Sequence, residues 1–272
     1  PPWFFYEAII SSTNATPVRV RCHPETYDLD LEAIEAAITP RTKAIIINSP
    51  NNPTGKIYPA ASLQKLGDLL RQASRKNGSP IYLLSDEAYS RIVYDKQDFP
   101  SPAQFYDRTF VIYTYGKTLL MPGQRLGYVA IHPHMPERAQ FRDALFVAQL
   151  VTGSAFPNAL LQHALADLDR FSIDVAHLQR KRDWLVDALT QMGYKLHRPE
   201  GTFYLLVNAP VANDVAFINR LAAHNVLCLP GKVVEMPGTF RISLTASDEM
   251  IRRALPGFAA ALAEAHPQPA LA

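Results

Sequence analysis

Four short segments of this 272-residue chain gather side chains that can do chemistry. Asn48-Ser49-Pro50-Asn51-Asn52-Pro53-Thr54-Gly55 follows an unbroken apolar run. Ser85-Asp86-Glu87-Ala88-Tyr89 ends a second run, and Thr114-Tyr115-Gly116-Lys117 ends a third, followed closely by Gly123-Gln124-Arg125-Leu126-Gly127-Tyr128. Further on, Phe240-Arg241-Ile242-Ser243-Leu244-Thr245 sets an arginine among apolar neighbours at strand spacing. Between them they offer an amine that can capture a carbonyl, a carboxylate and a phenol for proton work, and two guanidinium groups for anions. Taken singly, each has an ordinary reading: a tight turn, a helix cap, a solvated lysine, an arginine on the wet face of a strand. Their shared position at strand ends is what sets them apart.

The elements that would hold these segments can be read from the pattern around them. Val18–Arg21, Lys43–Asn48, Ile81–Ser85, Thr109–Tyr115 and Leu126–Ile131 read as strands. The all-apolar stretch Ala44-Ile45-Ile46-Ile47 is typical of a mainly parallel sheet covered on both faces. Helices are expected from near Asp30, from Ala60 to Lys76, and from Glu137 to about Leu150. The second carries Leu63, Leu66, Leu69, Leu70 and Ala73 on one face and stops at Asn77-Gly78. Strand–helix alternation of this kind is α/β. In such sheets ligands sit beyond the carboxyl ends of strands, so the first three segments are expected to meet in one crevice.

The last third is patterned differently. A long amphipathic helix is expected over Ser172–Met192, ending at Gly193. Short strands follow at Tyr194–His197, Phe203–Val207, Val226–Leu229 and Phe240–Thr245, and a closing helix begins at Ser247. This is an α+β layout, so the division expected is a large domain over 1–172 and a small one over 173–272.

Composition narrows the function classes. With 48% hydrophobic residues the chain can bury a sizeable core, and 27 basic against 25 acidic residues, well interspersed, leave no basic face for nucleic acid. The most apolar stretch, 144–156, is broken by Gln149, Thr152, Gly153 and Ser154 and is too short for a bilayer. Cys22 and Cys228 are expected to be free thiols, and a cytoplasmic setting is the expectation that follows. Gly116-Lys117-Thr118 has the ending of a P-loop, but position 111 is Val where a first glycine is required. His132 and His134 lack further ligands at sensible spacing, so no metal site is expected.

In their order and spacing the four segments resemble the class I/II aminotransferases, which have the fold-type-I pyridoxal-phosphate architecture. The resemblance extends from Trp3 to about residue 262 and rests on Asn-Asn-Pro-Thr-Gly, Asp-Glu-Ala-Tyr and the Lys117–Arg125 spacing. It implies an α/β large domain plus a smaller α+β domain, pyridoxal 5'-phosphate as cofactor, and transfer of an amino group between an α-amino acid and a 2-oxo acid. It further implies that Lys117 carries the cofactor as a Schiff base and moves protons, with Asp86 facing the pyridine nitrogen and Tyr89 and Asn52 bonding the ring's phenolic oxygen. Arg125 and Thr114 would take the phosphate and Trp3 would stack on the ring. Arg241, assisted by Asn52, would take the substrate carboxylate. A homodimer is implied as well.

Two departures from the family stand out. Gly116 replaces a serine or alanine before the lysine, with little effect expected. The segment that precedes the tryptophan in the family, with its glycine-bearing phosphate turn, is not in this sequence, which opens on Pro1-Pro2-Trp3. The same fold also admits C–S lyase or decarboxylase chemistry, and a non-catalytic sensor domain is the alternative from another class.

Overall fold

The computed structural model describes residues 1–154 and 156–265. They separate into two compact units. A large unit holds Val18–Pro50 and Lys56–Ile173; a C-terminal unit holds Asp174–Ala272 together with Pro1–Pro17 and Asn51–Gly55. Asn51–Gly55 thus groups apart from the sequence on either side of it.

Helix α1 (Tyr6–Ser12) lies in the stretch that groups with the C-terminal unit. The large unit contains α2 (Leu31–Ala37), β1 (Ala44–Asn48), α3 (Ala60–Asn77), β2 (Tyr82–Asp86), β3 (Thr109–Thr114), α4 (Tyr115–Thr118) and β4 (Gly127–Ile131). It ends with α5 (Arg138–Val151), α6 (Ala159–His163) and α7 (Leu165–Leu168). The C-terminal unit continues with α8 (Val175–Met192), β5 (Tyr204–Asn208), α9 (Asp214–Ala223), β6 (Leu229–Pro230), β7 (Thr239–Ser243) and α10 (Asp248–Ala265).

In the large unit the sheet order is β1-β2-β3-β4, the first three parallel and β4 antiparallel to β3. Register sets Asn48 opposite Asp86, and Asp86 opposite Ile112, so the carboxyl ends of adjacent strands come out side by side. Helix α3 explains why this sheet holds. Its leucines at helical spacing, Leu63, Leu66 and Leu70, are buried with Ile47, Ile81, Leu83 and Tyr106 in one cluster. Each such leucine is worth roughly 1.5–3 kcal/mol. The helix stops where Gly78 takes a left-handed φ of 63°.

The C-terminal unit is a three-stranded antiparallel sheet, β5-β7-β6. Phe217 of α9, Phe240 of β7 and Phe258 of α10 are fully buried, and the Tyr194 hydroxyl donates to the Phe258 carbonyl at 2.9 Å. Three N-caps start its helices: Asp174 accepts from His177 N, Asn213 from Ala216 N, and Ser247 Oγ from Met250 N.

Several expected elements are corrected. Val18–Arg21 forms no strand: Val18 is 69% exposed and the stretch finds no ladder partner. Tyr194–His197 contributes only an isolated bridge, Leu196 to Val207. The strand expected over Val226–Leu229 shrinks to Leu229–Pro230, because Leu227 points outward at 87% exposure and Pro230 has no N–H to donate. Helix α8 starts at Val175, three residues later than expected, because Asp174 supplies the cap. β1 is buried only toward Asn48, less than its run of isoleucines leads one to expect.

Candidate active site

In the large unit, Asp86 is the last residue of β2, and its Oδ1 accepts from Ala88 N at 3.1 Å, shaping the turn that follows. Three residues on, Tyr89 is buried in that turn. Lys117 stands on α4, the single turn of helix at the end of neighbouring β3. Its Nζ lies 5.8 Å from the centroid of the Tyr89 ring. Lysine, phenol and carboxylate therefore emerge after the ends of adjacent parallel strands.

Thr114 and Arg125 complete this side. Thr114 caps α4 by accepting from Gly116 N at 3.1 Å and donates to Leu126 O at 3.2 Å. Arg125 is exposed, takes a left-handed φ of 55°, and is held by a 3.0 Å bond from Nη1 to Pro122 O. Both line one cleft of about 420 Å³, with Gly127, Ser154 and Pro157 on its walls. A hydroxyl and a guanidinium on one open wall are the donor set a phosphate needs. Gly116 is tighter than expected. A Cβ there would stand 3.2 Å from Pro122 Cα and 3.3 Å from Thr114 Oγ1, so the serine or alanine of relatives would require those neighbours to give way.

The remaining sequence-predicted residues belong to the C-terminal unit. Asn52 is buried and its Oδ1 accepts from Arg241 Nη1 at 2.9 Å, joining residues 189 apart in sequence. Arg241 lies on β7 with its guanidinium 4.0 Å from the Tyr204 ring centroid, while its neighbour Phe240 fills the core. Gly55 holds the Asn52 segment in place. Its carbonyl accepts from Glu200 N and Gly201 N at 3.0 Å each, and its φ is 72°. A Cβ at Gly55 would meet Pro199 Cβ at 2.2 Å. Trp3 is half-buried beside Phe5 and Tyr6, and Asn51 Nδ2 donates to Pro1 O at 3.4 Å, which brings the Trp3 segment to the Asn52 segment.

Sequence reasoning missed several supporting residues. Arg182 of α8 is fully buried and donates to Pro199 O at 3.0 Å, bracing the loop on which Gly55 rests. Glu87, next to Asp86, is buried and accepts from Ser85 Oγ at 3.0 Å and Ser101 Oγ at 2.6 Å. Burial raises its carboxyl above the ordinary range, against the pull of both serines. Arg91 and Asp169 pair at 2.5 Å across 78 residues of sequence, and the Tyr115 hydroxyl joins them. Such long-range partners leave no local signal; only the position of Arg91, two residues past Tyr89, hints at it.

An α/β unit with a lysine on the turn after one strand, a carboxylate ending its neighbour, and a hydroxyl–guanidinium pair lining a cleft carries the side-chain types that pyridoxal phosphate requires. That set defines the fold-type-I class of pyridoxal-phosphate enzymes.

The chain belongs to the class I and II aminotransferases, whose family model, Aminotransferase class I and II, matches residues 1–258. It is 32% identical over 276 aligned positions to the aspartate/prephenate aminotransferase of Thermus thermophilus, covering 97% of this chain and 68% of that one. An aminotransferase structure from Eubacterium rectale superposes with a TM-score of 0.91 at 32% identity, covering 97% and 66% of the two chains. Thermus thermophilus aspartate aminotransferase with maleate gives 0.76 at 31%, covering 96% and 68%. The chain thus spans about two thirds of the length of these relatives. The family places it among the pyridoxal-phosphate-dependent transferases of amino groups.

Proposed function

We propose that the whole protein transfers the amino group of a small α-amino acid, aspartate first among candidates, to a 2-oxo acid. The aspartate aminotransferase names of its relatives support that substrate class. The observation that carries the reading is the pairing of Arg241 with Asn52, because a guanidinium held at 2.9 Å by an amide is shaped for a carboxylate.

Bound pyridoxal phosphate supplies an aldehyde that captures amines and a ring that draws in electron density. The roles proposed for the chain's own residues rest on their types and on the family resemblance. Lys117 would provide the amine that holds the cofactor and, when free, the base that moves the proton at the substrate Cα. Asp86, at the end of β2, would face the ring nitrogen, where a carboxylate favours the protonated and more electron-withdrawing ring. Thr114 and Arg125, which line one cleft, would hold the phosphate, and by the family resemblance Tyr89 and Asn52 would bond the ring oxygen and Trp3 would stack on the ring. Arg241 fixes the substrate's α-carboxylate and so orients its Cα–H bond. A cytoplasmic homodimer is the assembly we propose. No helix among the described residues is long and apolar enough to cross a membrane.

Product analysis tests the reading. The full-length protein given pyridoxal phosphate, aspartate and 2-oxoglutarate should yield oxaloacetate and glutamate in equal amounts. Alanine and carbon dioxide from aspartate, with no glutamate formed, would replace transfer by decarboxylase chemistry.

A further inference from the structure

Helix α4 is only four residues long, too short to hold its own shape, yet it carries Lys117. Its position must come from outside the turn. The side chains of Tyr115 and Thr118, at its two ends, are both tied down. The Tyr115 hydroxyl donates to Asp169 Oδ1 at 3.0 Å, and the Tyr113 and Thr118 hydroxyls share a 2.6 Å bond. Ile173 N also donates to Thr118 O at 2.8 Å, tying the same end to the segment just past Asp169.

The two ties are joined to each other. Arg91 reaches Asp169 twice, with Nη2 2.5 Å from Oδ1 and Nη1 2.9 Å from the backbone oxygen. The same guanidinium lies 5.4 Å from the centroid of the Tyr113 ring, which packs edge-on against Tyr115 at 5.2 Å. A ring of contacts therefore runs Tyr115, Asp169, Arg91, Tyr113, Thr118 and back through α4, with Lys117 inside the enclosed turn. Arg91 also follows Tyr89 closely in the chain, so the ring links the segment carrying the phenol to the turn carrying the amine.

We propose that Asp169, acting through Arg91 and Tyr115, is the positioning residue for Lys117, fixing where its amine sits. The proposal rests on the role of Lys117 given above. Asp169 is suited to this task. One of its carboxylate oxygens collects two donors from different elements, and those bonds hold its carboxyl below the ordinary range. The ionisable groups facing Tyr115 are Asp169, Arg91, Tyr113 and Tyr128; burial, then Asp169, pushes its phenol up to about 12, so it stays a donor at working pH.

The test uses the full-length protein loaded with pyridoxal phosphate and its Tyr115→Phe, Asp169→Asn and double variants. Visible absorbance of the bound cofactor is titrated against pH, with melting temperature measured alongside. Both single variants should move the titration midpoint by roughly half a pH unit or more, and the double variant should move it no further than the larger single. Asp169→Glu should recover part of the shift. Lowered melting temperatures with an unmoved midpoint, or shifts that simply add, overturn the proposal and leave a mere structural brace. Should Asp169→Asn fail to fold, Tyr115→Phe decides alone. A parent protein with no visible band removes the role of Lys117, and this inference with it.

Discussion

At the residue scale the guanidinium of Arg241 is committed on two sides, to Asn52 Oδ1 and to the face of Tyr204. A charged hydrogen bond of this kind is worth roughly 1.5–3 kcal/mol. Arg241→Ala should therefore lower kcat/KM for the amino acid by about 10- to 200-fold. Arg241→Lys should recover little, because an ammonium neither forks nor stacks. Steady-state kinetics of both variants check this, and equal activity of the lysine variant would remove the two-pronged carboxylate contact. Arginine and asparagine were both legible in the sequence as residue types. Their meeting across 189 residues was implied by the family resemblance alone, since no local pattern links them.

Glu87 carries a pH dependence whose sign can be worked out. Its carboxyl is raised above 4.5 by burial, so the fold prefers it protonated. The stability it contributes is complete below the unfolded value and is lost as pH rises through the raised folded value. Glu87→Gln keeps an acceptor for Ser85 and Ser101 and drops the buried charge. It should melt above the parent near neutral pH, by roughly 2–4 °C for each kcal/mol recovered, and the gap should close on acidification through the carboxylate range. Thermal melts across that range measure it; a gap that widens in acid would reverse the sign. Sequence alone marked Asp86 and passed over Glu87, because burial is what distinguishes them.

At the scale of elements, boundaries were readable where the chain itself supplies the stop or start. Asn77-Gly78 ended α3, Gly193 ended α8, and Ser247 capped α10 as read from the sequence. Helix α9 was not anticipated, though Asn213 and the Phe217–Leu221 spacing carried its signal. Strand lengths failed where pairing rather than propensity decides, as at Val18–Arg21 and Val226–Leu229. The docking of the Asn52 segment makes a sharper case. Gly55 combines a left-handed backbone with Pro199 where its side chain would be. Gly55→Ala should cost about 1–3 kcal/mol and raise the KM for the amino acid, since Asn52 would shift with it. Denaturant melts with kinetics check both; a variant as stable as the parent would show that the loop around Pro199 yields freely.

For the molecule as a whole, two stretches remote in sequence, Pro1–Pro17 and Asn51–Gly55, group with the C-terminal unit. No composition shift marks that grouping; it rests on contacts such as Asn51 to Pro1 and Gly55 to Gly201. In the large unit, α5 buries none of its residues, and Phe146, Val147, Val151 of that helix and Tyr128, Val129 of β4 are exposed. Exposed apolar side chains of this kind, with a strand paired on one edge among the described residues, favour association. The protein should bind a hydrophobic dye and scatter more light as concentration rises, and Val147→Glu with Val151→Glu should reduce both. Unchanged scattering in that double variant would acquit these side chains.

The central claim is covalent and can be read directly. Full-length protein incubated with pyridoxal phosphate, reduced with borohydride and digested should carry the phosphopyridoxyl group on the peptide containing Lys117, and Lys117→Ala should carry none. Label on another lysine, or an unlabelled parent protein, would contradict the account.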